Sequence, residues 1–232
     1  MTVRSAFAQF RRSARRILGL APAPWDDVAL IGASGLFDVN LYLIEGPDIR
    51  PAGVDPVVHF CTAGWREGRR PNFYFDPLWY AERYLGGSGE NPLAHYIRTG
   101  EAAGLSPICT FDPAWYRRTY RLPRRTSPLA HFLANRRSQR FAPNPHFDLD
   151  FYLSRHGDEI GPNRDPFAHL LRHGAGRDLD PSASFDSAAY RRTFMPSGSA
   201  AARTKWTAAD LAVPLVHHLD ASARAAQKAQ RR

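Results

Sequence analysis

The sequence predicts an all-α protein: a solenoid-like array of about five two-helix repeats of 36–38 residues with flexible basic termini. Three observations predict it. The pair Phe-Asp recurs at 37-38, 75-76, 111-112, 147-148 and 185-186. A second landmark, Pro-x-x-His, ends at His59, His95, His131, His169 and, more loosely, His217. From each of the first four histidines to the next Phe the distance is 16 residues, whereas from Phe to the following His it is 22, 20, 20, 22 and 32. A joining segment of invariant length reads as a packed connection, and a variable one as a surface loop.

The elements follow in chain order. Residues 1–24 form a basic amphipathic segment in which Phe7, Phe10, Ile17 and Leu18 line one helical side while Arg11, Arg12, Arg15 and Arg16 occupy much of the rest. That pattern suits a helix lying on an anionic membrane surface, and equally a disordered tail or a helix docked on a partner. Residues 25–36 (WDDVALIGASGL) read as a lone helix covering the first repeat. The repeat domain extends over 25–220, with units starting near 37, 75, 111, 147 and 185.

Each repeat opens with a helix whose N-cap is the Asp of Phe-Asp: Asp38, Asp76, Asp112, Asp148 and, in the weaker fifth copy, Asp186. A carboxylate there accepts from free amides of the first turn, and Pro77 and Pro113 suit the first helical position. Leu41-Tyr42, Trp79-Tyr80, Trp115-Tyr116, Phe151-Tyr152 and Ala189-Tyr190 then fall on one face. The second helix starts with the same chemistry at Asp55-Pro56, Asn91-Pro92, Ser127-Pro128 and Asp165-Pro166. Gly64, Gly100 and Gly174 fall eight residues after the proline, where a left-handed stop is expected. Pro71, Pro107, Pro143 and Pro181 keep that helix from running on. Hairpins this short cannot bury their aromatic faces alone, so stacking of neighbours is expected. The fifth repeat carries an insertion, Pro196 to Asp210 with Trp206, expected to be the most mobile part of the body, and residues 221–232 read as a basic tail.

Charge is distributed unevenly. The net +9 looks like a nucleic-acid signature, yet nine basic side chains and no acid lie in 1–24 and 221–232, leaving 22 basic and 22 acidic residues that cancel in the body. Nucleic acid is therefore disfavoured as a partner. With Cys61 and Cys109 at no redox or metal spacing, a cytoplasmic protein is the default. No stretch approaches the roughly 20 apolar residues of a membrane span, and arginines at 11, 12, 15 and 16 interrupt any secretory apolar core.

The stretches GLFDVNLYL, GVDPVVHFCTAGWREGRRPN, FDPLWY and NPLAHYIRTG resemble the bacterial repeat written FDxxxYLxxNPDVxxxGxNPLxHYLxxGxxEGRxP, over residues 28 to about 220. That repeat flanks glycosyltransferase or sulfotransferase domains of surface-polysaccharide pathways and occurs in secreted calcium-binding repeat proteins. The resemblance implies a helical accessory module, with chemistry assigned to neighbouring domains, and a place in surface-polysaccharide (capsule or exopolysaccharide) biosynthesis. This chain departs from the pattern in three ways. The usual Pro-Asp survives only as Gly-Pro-Asp at 46–48, Glu-Gly-Arg occurs once at Glu67-Gly68-Arg69, and the third repeat replaces both loop glycines with Arg136 and Arg140. The repeats also leave no room here for a nucleotide-sugar domain.

Candidate chemistry is sparse. One histidine per stacked unit puts neighbours about 10 Å apart, too far to share a metal, so each is expected to be packed against a tyrosine hydroxyl or capping carboxylate. No metal or cofactor is expected. Cys61 occupies a core position shared by Ile97, Leu133 and Leu171. The body becomes strongly charged only in the third repeat, where Arg117, Arg118, Arg121, Arg124, Arg125, Arg136, Arg137 and Arg140 stand against Asp112. Guanidinium forks suit phosphate, sulfate and carboxylate, so these are candidates for binding an anion or glycan, although a solvated face accounts for them as well. Two readings follow. One is a non-catalytic interaction or glycan-associated scaffold whose partner is a protein such as a glycosyltransferase, or an acidic polysaccharide, held peripherally at the inner membrane. The other is a glycosyl- or sulfotransferase subunit or enzyme with its site at the third repeat.

Overall fold

The computed structural model describes residues 24–195 and 213–230. It is all-α: eleven α-helices and no strand among the described residues, with isolated bridges only at Asn72–Phe75 and Ser182–Phe185. No described helix is long and apolar enough to cross a membrane. The chain divides into two compact units, Met1–Ala103 and Gly104–Arg232.

In the first unit α1 (Pro24–Ala33) precedes two helical hairpins. These pair α2 (Val39–Glu45) with α3 (Pro56–His59), and α4 (Pro77–Tyr84) with α5 (Pro92–His95). Both α3 and α5 continue into a wider π turn, Phe60–Gly64 and Tyr96–Gly100. Helix α1 packs on α3, its π turn and α5, burying Ile31. Its Asp27 is also buried, and Arg98 meets the carboxylate at 2.5 Å. Burial nonetheless holds that carboxyl above its ordinary value, with Arg98 opposing the shift.

The second unit holds three hairpins: α6 (Pro113–Thr119) with α7 (Pro128–Asn135), α8 (Leu149–Ile160) with α9 (Pro166–Arg177), and α10 (Ser187–Phe194) with α11 (Pro214–Gln230). Where a basic tail is expected from 221, α11 continues to Gln230. Alanines at 221, 223, 225, 226 and 229 carry a high helix propensity, and Arg224 bonds back one turn to Asp220 at 2.7 Å.

Helix starts are set by local chemistry. Asp38, Asp76, Asp112, Asp148 and Asp186 each cap the first helix of a hairpin, as with Asp112 accepting from the Trp115 amide at 2.8 Å. Asp55, Asn91, Ser127 and Asp165 cap the second helices, each followed by proline. The buried face is aromatic: Tyr42, Tyr80, Tyr116 and Tyr152 from the first helices, with Phe60, Tyr96, Phe132 and Leu170 from the second.

Hydrogen bonds close individual repeats. The amides of Asp38, Asp112 and Asp148 donate to the carbonyls of Pro71, Pro143 and Pro181 at 2.7, 3.1 and 2.9 Å. The end of each of these repeats is thereby tied to its own beginning. Buried Asn72 and Asn144 add a second tie, donating through Nδ2 to Leu36 O at 2.7 Å and Thr110 O at 2.8 Å. Pro71, Pro143 and Pro181, expected to keep helices from running on, thus also accept the closing bonds.

Candidate functional site

The repeated histidines all enter one kind of contact. Tyr42, Tyr80, Tyr116, Tyr152 and Tyr190 place their hydroxyls 2.8, 2.9, 2.9, 2.8 and 3.1 Å from Nδ1 of His59, His95, His131, His169 and His217. Each contact latches the two helices of a hairpin. In the second hairpin Thr99 Oγ1 lies 3.1 Å from His95 O and 3.3 Å from Nε2. With the imidazole proton on Nε2 and the Thr99 proton on His95 O, Nδ1 is left to accept from the Tyr80 hydroxyl. Burial pushes the Tyr42, Tyr80, Tyr116 and Tyr152 phenols well above their ordinary value, keeping them protonated donors.

The glycines expected as left-handed stops are not stops. Neither Gly64 nor Gly100 has positive φ, and Gly174 lies inside α9. The reason is space. A Cβ at Gly64 would stand 2.0 Å from the Tyr42 hydroxyl, and one at Gly100 2.0 Å from the Tyr80 hydroxyl. The π turn brings the hydroxyl onto bare backbone at that point, and the turn widens there: Glu101 N–H donates five residues back to Tyr96 O at 2.8 Å. Gly174 instead makes room for Val213, the residue before α11, since a Cβ there would lie 3.2 Å from Val213 Cγ1.

The two isolated motif fragments of the first hairpin prove to be partners. Arg69, from the single Glu-Gly-Arg, forks onto Asp48, from the single Gly-Pro-Asp, at 2.9 and 2.8 Å, and its Nε meets Glu67 at 2.6 Å. The guanidinium holds the Asp48 carboxyl below its usual range.

The third hairpin splits its arginines into two groups. Arg117 is half-buried and donates to Pro123 O at 2.5 Å and Thr126 O at 2.8 Å, closing the loop between α6 and α7. Arg136 is also half-buried, bonded to Leu133 O and 3.4 Å from the Asp165 cap. The other six, Arg118, Arg121, Arg124, Arg125, Arg137 and Arg140, are exposed, and none has an ion-pair partner among the described residues. Phe141 packs on Tyr120 at 4.9 Å and His131 at 5.0 Å, and Ala142 N–H donates to the Tyr120 hydroxyl at 2.7 Å. These contacts seat the 139–142 segment beside the end of α6, so Arg140 and Arg121 each adjoin a residue of the same aromatic contact.

Cys61 is buried and its thiol is pushed up to about 12 by burial, an environment that suppresses thiolate chemistry. Cys109 is half-buried. The membrane-surface candidates Phe7, Phe10, Arg11, Arg12, Arg15, Arg16, Ile17 and Leu18 lie outside the described residues, as does the 196–210 insertion. One grouping escaped the sequence reasoning: His156 and His173 join His169 in the fourth hairpin, with ring centroids 6.1 and 4.7 Å from it. The signal for it was present. Tyr152-x-x-x-His156 and His169-x-x-x-His173 are one-turn pairs on facing helices. The chain matches no family model, no curated protein and no solved structure.

Proposed function

We propose that this protein is a non-catalytic helical-repeat scaffold of surface-polysaccharide biosynthesis that binds an acidic polysaccharide through the arginines of its third hairpin. The observation that carries the reading is a division of labour. The repeated aspartates are occupied as caps and the repeated histidines as latches, while six guanidinium groups of one hairpin stand exposed, three of them (Arg121, Arg124 and Arg125) on a loop that Arg117 holds closed. A pre-ordered loop loses little freedom on binding, and guanidinium forks match carboxylate and sulfate groups. The basic N-terminal segment would hold the scaffold at the inner membrane face.

The test uses the full chain on an immobilised sulfated polysaccharide, with elution by salt. Replacing Arg118, Arg121, Arg124, Arg125, Arg137 and Arg140 with Gln should lower the elution salt well below that of a control in which Arg11, Arg12, Arg15, Arg16, Arg231 and Arg232 are replaced. Equal losses would reduce the effect to net charge and overturn the reading. The control protein should lose flotation with anionic vesicles, which reads the membrane expectation separately. Binding of a nucleotide sugar or sulfate donor by the wild-type chain would favour a transferase instead.

A further inference from the structure

In the fourth hairpin three imidazoles meet at tilted angles across two helices. On α8, His156 lies one turn after Tyr152, with ring centroids 4.7 Å apart. On α9, His173 lies one turn after His169, also at 4.7 Å, and His156 faces His169 at 6.1 Å. The group grades from the fully buried Tyr152 through His169, whose side chain is 10% exposed, to the exposed His173. Water thus reaches one end of it.

The buried member is poorly prepared to carry charge. His169 Nδ1 is taken by the Tyr152 hydroxyl at 2.8 Å. Its Nε2 is buried and makes no full hydrogen bond, with Glu159 Oε1 3.3 Å away. Glu159 is in turn forked by Arg177, with Oε2 2.9 Å from Nη2, which holds the carboxyl down at about 2. The nearest counter-ion is therefore already partnered. A proton arriving on Nδ1 would also meet the Tyr152 O–H and force that hydroxyl to turn.

We propose that the fourth hairpin is an acid-sensitive joint: protonation within the His156–His169–His173 cluster loosens α8 from α9 and frees the C-terminal helix α11, which rests on α9. Burial holds both His156 and His169 below the ordinary value of 6.5; Glu159 opposes this in each, and His173 and His156 reinforce it in His169. For an imidazole lowered by folding, the stabilising contribution is complete above 6.5 and is lost as pH falls through the folded-state value.

The surrounding charges do not offset this. On α8, Arg155 lies 3.9 Å from Asp180, and Asp158 is exposed. On α9, Arg172 adds positive charge beside His173. From α10, Arg191 meets Asp178 at 2.5 Å and donates to Ala175 O at 2.8 Å. On α11, His217 bonds Tyr190, His218 lies against Phe185 and Tyr190, and Asp220 is taken by Arg224. The joint is independent of the polyanion reading and holds whether or not that reading does.

Hydrogen exchange of the full chain tests it, read peptide by peptide at about pH 7.5 and about pH 5.5. After correction for intrinsic rates, α8, α9 and α11 should exchange at least about ten-fold faster at the lower pH, with α4 and α5 unchanged. His156→Phe with His173→Phe keeps the rings and removes two protonation sites, so the acid effect should shrink. Unchanged protection in the wild type, or equal loss in α4 and α5, overturns the proposal. A second measurement needs no substitution. Imidazole Cε1–H resonances of His156 and His169 should titrate below 6.5, and titration of both at or above that value also overturns it.

Discussion

The second and third hairpins solve the same packing problem with opposite residues. Both latch a tyrosine hydroxyl to a histidine Nδ1 at 2.9 Å, and both bury that tyrosine completely. In the second, the hydroxyl presses on the bare backbone of Gly100 within a π turn. In the third, that position is Arg136, α7 ends in a short 3-10 turn, and Phe141 packs instead against Tyr116, Tyr120 and His131. The latch does not require the glycine; the particular turn geometry does. Once the turn is regular and an aromatic ring covers the latch, position 136 can hold a long side chain reaching the next helix cap at Asp165.

The largest effect should come from closing the space at Gly100. Gly100→Ala puts a methyl group 2.0 Å from the Tyr80 hydroxyl, and such overpacking costs about 3 kcal/mol. Gly174→Ala should cost much less, because its nearest neighbours lie at 3.2 Å and are aliphatic ends. Chemical denaturation reads both. Adding Tyr80→Phe should remove about 1–2 kcal/mol of the Gly100→Ala penalty in a double-mutant cycle, since the clashing oxygen is gone. Simple additivity would break the explanation of the glycine.

Next in size is the tie that the first and third hairpins share. Asn72→Ala or Asn144→Ala leaves a buried carbonyl unpaired, at Leu36 or Thr110, for a loss of about 2 kcal/mol. Equal stability of these variants and the wild type would mean that these bonds do not hold their repeats closed. The smallest effect is expected at Arg136→Gly, which removes a half-buried side chain but leaves the Tyr116–His131 bond in place. A change of about 1 kcal/mol or less is expected, as for a partly solvated ion pair. A loss as large as that of Gly100→Ala would mean that position 136 supports the latch after all.

Much of this architecture was legible because it is local. Asp112 caps α6 three residues away and Ser127 caps α7 three residues away, distances at which side-chain chemistry alone selects the conformation. The Tyr116–His131 contact was accessible too, as a residue-type expectation, because a buried imidazole needs a partner. The role of Gly100 was not. A glycine after a helical stretch reads as a left-handed stop unless one knows that a ring from the preceding helix arrives at its Cα. The arginines of the third repeat looked alike in sequence for a similar reason: what separates Arg117 from Arg118 is the fold of the 120–126 loop, which gives one of them two carbonyls and leaves the other in water.

By itself, the sequence determined that the chain is helical, where ten of the eleven described helices begin or group into repeats, and which aromatic residues turn inward. Caps, prolines and helical periodicity act over three to five residues and need no distant partner. Only the tertiary structure decided what the glycines are for, that Arg69 and Asp48 belong together, that Asn72 and Asn144 close their repeats, and that three histidines meet in the fourth hairpin. Those outcomes join residues separated by more than a helical turn, and their energy exists only once both helices of a hairpin have been brought into contact.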